Sequence, residues 1–185
     1  MANCKLTRDI LKTSSSCGYQ LAEVKDIYIA NYADVSTTVS TTGSCEEVGS
    51  ITMATDPETS AATKFYHIEP AKNSVTFTDE LVVTDQGAKY RTHTLTFSIA
   101  NKYDACLHID FDDLSLGRFA VVVKTADGGY LMLGRTAGLE ASAATLSGGG
   151  DTNGMAITLS ANVAESAMPL NDTAVGQMLA LVATD

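Results

Sequence analysis

Apolar and polar residues alternate with period two along most of this chain, the pattern of strands that bury one face and wet the other. Asp26–Asn31 (DIYIAN) places Ile27 and Ile29 on one side, and Ser50–Ala54 and Thr63–Ile68 are shorter candidates. The longest unit joins Ser74–Thr84 (SVTFTDELVVT) to Lys89–Ala100 (KYRTHTLTFSIA) through Asp85-Gln86-Gly87-Ala88, which predicts an extended hairpin. Its apolar face carries Val75, Phe77, Leu81, Val83, Leu95, Phe97 and Ile99. Its polar face carries Thr76, Thr78, Glu80, Thr84, Thr92, Thr94, Thr96 and Ser98. His93 falls on the apolar face beside Leu95, where a packed or hydrogen-bonded histidine is the usual case. A second hairpin is expected from Arg118–Thr125 and Tyr130–Leu133 about Asp127-Gly128, a strong turn pair. Val121, Val122 and Val123 run without alternation, so that strand should be covered on both faces. Met155–Val163 reads as a further strand with Ile157 and Leu159 inward.

Two segments break the alternation. Tyr103, Leu107, Phe111 and Leu114 follow helical spacing, which predicts a short helix within Asn101–Leu114, capped by Asn101 with Asp104. Leu107, Ile109 and Phe111 also alternate as a strand would. The tail Asn171–Ala183 fits a capped helix with Val175, Met178, Leu179 and Val182 on one side, or else a closing strand. Val35–Ser50 and Gly138–Gly154 are rich in Ser, Thr, Gly, Asn and Asp and read as loops, the first with an edge strand as its alternative. Residues 1–25 read as an N-terminal arm. The fold class expected is a single mainly-β domain over 1–185, a sandwich or partial barrel with a long hairpin and one or two short helices.

Composition narrows the function. The chain has 185 residues, 22 acids against 12 bases and a net charge of −10. No run of Lys or Arg offers the basic face that a sequence-independent nucleic-acid binder needs, and an anionic membrane would repel it. Met1–Thr13 has no apolar core typical of a secretion signal, and the longest apolar stretch, near Gln177–Ala183, is far short of a membrane span. Cys4, Cys17, Cys45 and Cys106 match no zinc spacing, so free thiols are expected.

Candidate chemistry is sparse. His108-Ile109-Asp110 resembles half of a non-haem iron triad, but no histidine follows to complete it. Asp151-Thr152-Asn153-Gly154 resembles the start of a calcium loop, yet the twelfth position is Asn162 and the glycine is misplaced. Glu46-Glu47 and Asp112-Asp113 read as solvated surface, and a glycosidase carboxylate pair would lack the tryptophan that commonly stacks on sugars. No catalytic residue, metal site or cofactor is expected, and the chain is not read as an enzyme.

Leu116–Leu170 carries a family pattern. Asp127-Gly128-Gly129-Tyr130, Leu133-Gly134, Asp151-Thr152-Asn153-Gly154 and Ile157-Thr158-Leu159-Ser160 stand in an order that resembles the C-terminal half of bacteriophage major tail (tail tube) proteins. That family is related to the tubes of contractile injection systems. The resemblance implies a virion protein, assembled in the host bacterial cytoplasm, that forms stacked rings of six copies. Their strands would join into an inner barrel through which DNA is ejected without specific binding. The partners implied are the chain itself and other tail proteins such as the tape measure and terminator, with no membrane. Six copies would bring −60 to each ring. The polar hairpin residues named above would then face the lumen. Thr41, Glu46 and Glu47 in the first loop, with Gly149, Asp151 and Asn153 in the second, would contact neighbouring subunits or rings. A capsid decoration or head–tail joining protein is the alternative.

Overall fold

A computed structural model describes residues 23–43, 45–58, 60–99, 106–148 and 154–183. The strands are β1 (Val24–Asn31), β2 (Val35–Thr42), β3 (Cys45–Met53), β4 (Tyr66–Ile68), β5 (Thr76–Val83) and β6 (Lys89–Ile99). After α1 (Leu107–Leu116) come β7 (Arg118–Thr125), β8 (Tyr130–Leu133), β9 (Leu139–Ser147), β10 (Gly154–Val163), β11 (Met168–Pro169) and α2 (Asp172–Ala180). The mainly-β expectation therefore holds, with two short helices.

β7 is the hub. Antiparallel β1 runs along one edge, pairing Ile27 with Val123 and Ile29 with Val121. The other edge is shared: β9 pairs first, at Phe119↔Leu139, and β8 takes over at Val121↔Leu133. One limb of the sheet is thus β4–β1–β7–β8–β11, and the other is β9–β10–β6–β5. Both limbs feed one core of Ile27, Ile29, Leu95, Phe97, Val121, Val123, Leu133, Leu139, Ile157 and Leu159, so a single sheet folds back over itself. Val122, on the opposite side of β7, belongs to a second core with Tyr28, Ala30 and Met132, covered by Val48 and Ile51 of β3 and by Ala174 and Met178 of α2. The unbroken valine run is buried on both faces because each face has its own cover.

Several expectations need correction. Val35–Ser50 takes its strand alternative rather than the loop reading. β2 and β3 form a separate two-stranded ribbon, in register from Val35↔Met53 to Thr42↔Cys45 with a bulge near Val39, and the strand extends to Met53. Threonine and valine suit a strand that is largely wet, and what the Ser/Thr-rich composition concealed is that the segment forms two strands paired as a ribbon. Most of Gly138–Gly154 is likewise β9, and Gly154 opens β10. Thr63–Ile68 keeps only three strand residues, Tyr66–Ile68. Val24 is already buried in β1, so an arm cannot extend to residue 25; residues 1–22 lie outside the described part.

The long hairpin has its expected register, Thr76↔Thr96 through Val83↔Lys89, but it outruns the core. Leu95 and Phe97 are fully buried, whereas Leu81 and Val83 are 53% and 55% exposed near the turn. The first helix runs Leu107–Leu116, two residues past the expected end at Leu114, with Cys106 in the cap position and no side-chain cap hydrogen bond. The proposed cap residues Asn101 and Asp104 lie outside the described residues. Phe111 and Leu114 pack on the first core as their spacing required. In the tail, Asn171 Oδ1 accepts the Ala174 N–H at 2.9 Å, a regular N-cap, so the helix is realised. Its buried positions are Ala174 and Met178, and Leu179 faces out at 44% exposure.

Candidate functional site

Cross-strand register decides which side chains share a face, because residues directly opposite point the same way. Thr76, Thr78 and Glu80 of β5 face Thr96, Thr94 and Thr92 of β6. These in turn face Thr158, Ser160 and Asn162 of β10, with Ser98 opposite Ala156. Beyond β10 stand Glu140, Ala143 and Thr145 of β9. The result is one four-stranded surface of hydroxyls, small side chains and carboxylates. Thr96 and Thr158 bring their hydroxyls to 3.1 Å, and Thr92 donates to Asn162 Oδ1 at 2.9 Å, so the surface is laced across strands. Seven of the expected residues are brought together here: Thr76, Thr78, Glu80, Thr92, Thr94, Thr96 and Ser98. Thr84 is not among them. It lies past the end of β5, where its hydroxyl accepts the Ala88 N–H at 3.1 Å and closes the turn.

The charges sort by face. Glu80 and Glu140 lie on the hydroxyl face, whereas Lys89 and Arg91 pair with Val83 and Leu81 and point to the other side. Neither β9 nor β10 contains a base. Arg118 of β7 stands opposite Glu140 at the border and forms an ion pair with it. The face is neutral to acidic.

On the reverse side, behind Glu80, lies a polar cluster that sequence reasoning missed apart from His93. Asp79 Oδ1 receives Arg91 Nε at 2.5 Å, and its Oδ2 receives the Ala167 N–H at 2.9 Å. His93 Nε2 stands 3.4 Å from Asp79 Oδ1. Arg135 donates from Nε to both Glu165 oxygens, at 2.9 and 3.1 Å. Burial alone would raise the Asp79 pKa; Arg91, the Ala167 amide and His93 outweigh it and hold the carboxyl below its ordinary value. Burial dominates for His93 and lowers its pKa despite the opposing pull of Asp79 and Glu165. The cluster fastens the border strand β5 to the segment between β10 and β11. Only the polar alternation in β10 (Thr158, Ser160, Asn162) was a readable signal for the enlarged face; the Asp79 cluster joins residues too far apart in sequence to be read from spacing.

The expected contact loops are resolved differently. Thr41 pairs with Glu46, and Ser40 with Glu47, near the tip of the β2–β3 ribbon. The tip is wet, with Thr41, Thr42, Gly43 and Glu46 exposed, while its base is held by Val48 and Ile51. Gly149, Asp151 and Asn153 lie outside the described residues. His108 and Asp110 sit on exposed positions of α1. Among the described residues no three His, Cys, Asp or Glu side chains gather as a metal site, and no helix is long and apolar enough to cross a membrane.

No family model, curated protein or solved structure matches this chain.

Proposed function

We propose that this chain is a structural subunit that joins copies of itself edge to edge into rings, which stack as the tube of a phage tail. What supports the reading most is the β9–β10–β6–β5 limb. It has one apolar face turned to its own core and one hydroxyl face turned to water. It also has two open borders: β5 ends the sheet, and past Glu140 no described strand lies outside β9. A long open edge in a monomer invites uncontrolled pairing, and closing copies into a ring removes it.

The dimensions agree with a channel. Six copies of four strands give a barrel of about 50 Å between opposing backbones, at roughly 4.8 Å per strand and a tilt of about 40°. After side chains are allowed for, a DNA duplex fits inside. Its wall would then be hydroxyls with Glu80 and Glu140. The one base at its border, Arg118, is already paired with Glu140, so phosphates meet no unpaired cation among the described residues of the face and a duplex passes without being held. The chain's role is mechanical: it needs shape, closure and a non-adhesive wall, not a reacting group.

The test is assembly. Purified protein viewed by electron microscopy and weighed by mass photometry across rising concentration should give rings or tubes of one repeating unit. A species that stays monomeric throughout would overturn the reading.

A further inference from the structure

The β2–β3 ribbon and the segment before α2 leave a groove between them. They meet at the parallel bridge Val48↔Leu170, where the Asn171 N–H donates to Val48 O at 3.1 Å. The groove of about 470 Å³ is lined by Cys45, Glu46 and Glu47 on the ribbon side and by Ser166–Pro169 on the other. It has apolar walls from Ala167, Met168 and Pro169, a rim of two carboxylates, and strand backbone along one side. Such a slot suits an extended segment that is basic and partly apolar.

The chain carries one segment of that chemistry. Residues 1–22 hold Lys5, Arg8 and Lys12 against a single acid, Asp9, which leaves 9 of the 12 bases facing 21 of the 22 acids elsewhere. Its bases are interleaved with Leu6, Ile10 and Leu11 (KLTRDILK), so cations and apolar side chains recur along one stretch. Twenty-two residues reach up to about 70 Å when extended, enough to cross from one subunit to the next.

We propose that residues 1–22 of one copy lie in the β3/β11 groove of a neighbouring copy, with Lys5, Arg8 and Lys12 against Glu46 and Glu47. The proposal rests on the ring reading above and names the contact that ties subunits together beyond their sheet edges. A segment on one copy entering a groove on the next is a heterologous contact, which closes within a ring or runs on along a stack according to the rotation between the copies it joins.

The test is zero-length crosslinking of full-length protein with a water-soluble carbodiimide, which condenses a lysine amine with a carboxylate to an amide and loses water. Light and heavy isotope-labelled protein, mixed before assembly, separates links between copies from links within one. Mass spectrometry should find Lys5 or Lys12 joined to Glu46 or Glu47 in mixed-label peptides, with the yield falling as salt is raised. The variants E46K/E47K and K5E/R8E/K12E should each weaken assembly by about fivefold or more, and their mixture should recover it. Rings without these links, or links confined to single-label peptides, overturn this proposal and leave the ring reading standing. A chain that never assembles overturns both.

Discussion

His93 Nδ1 accepts the backbone N–H of Gly134 at 3.1 Å, with 1% of the side chain exposed. A ring nitrogen that accepts carries no proton, so the neutral imidazole holds its hydrogen on Nε2, on the side of Asp79. Protonation would set two donors face to face at Gly134. The bond therefore selects the neutral form, in the same direction as burial.

The pH dependence follows from that preference. The folded-state pKa of His93 is depressed, so below about pH 6.5 the unfolded chain binds more protons than the folded one. Stability from this group is fully present above that pH and is lost as pH falls toward the depressed value. Thermal melts from pH 8 to pH 5 should decline in the acid half. His93→Asn, which keeps an acceptor for Gly134 and cannot titrate, should flatten the decline. Parallel curves for the two proteins would refute the assignment.

Asp79 should be the costlier loss. Asp79→Ala removes the acceptor of both Arg91 and the Ala167 N–H at a site with 16% side-chain exposure. A cost of roughly 2–3 kcal/mol is expected, or a drop of about 5–10 °C in melting temperature. Asp79→Asn keeps an acceptor for Ala167 and should lose less. Urea titrations of the pair would show the order, and equal losses would mean that the amide contact contributes nothing.

The corner between β8 and β9 depends on glycine. Gly138 has φ of +69°, and a Cβ there would stand 2.5 Å from Arg118 Cγ and 2.8 Å from Tyr32 Cγ. Gly87, at +83° in the hairpin turn, has nothing within 4 Å. Gly87→Ala should cost about 1 kcal/mol of backbone strain, and Gly138→Ala at least twice that because a clash is added. Denaturant midpoints for both variants make the comparison.

Electrostatics of the polar face can be tested without changing the fold. Thr94 lies mid-face, opposite Thr78 and Ser160. Thr94→Lys should leave the unfolding free energy within about 1 kcal/mol of the parent, since the side chain lies on the water-facing side of the sheet. Assembled variant should retain DNA at low salt and release it as salt rises, whereas parent assemblies should not retain it. DNA held by the parent in a salt-dependent way would show that the wall is not what the face suggests.

Where burial was one-sided, the strands were legible. Leu95 and Phe97 against Thr94 and Thr96 announced β6, and Ile157 and Leu159 announced β10. The outer half of β9 (Ser142–Leu146) was not legible, because it is exposed at every position and no alternation is imposed on it; the β2–β3 ribbon was legible only as an alternative, because its tip is wet and just Val48 and Ile51 near its base are buried. Leu81 and Val83 misled in the opposite sense: their apolar character implied cover that the core does not reach far enough to give. The Asp79 cluster was invisible because its members come from β5, β6, the corner after β8 and the segment after β10. Only folding brings them together.

β7 carries a last consequence. Its alternate valines belong to different cores, and its far edge is divided between β8 and β9. Displacing this strand opens both cores and detaches both limbs at once, so neither half has an independent melting event available to it. Calorimetry of dispersed subunits should record one transition, with van't Hoff and calorimetric enthalpies in agreement. The amides of Val121 to Val123 should exchange with solvent only through global unfolding.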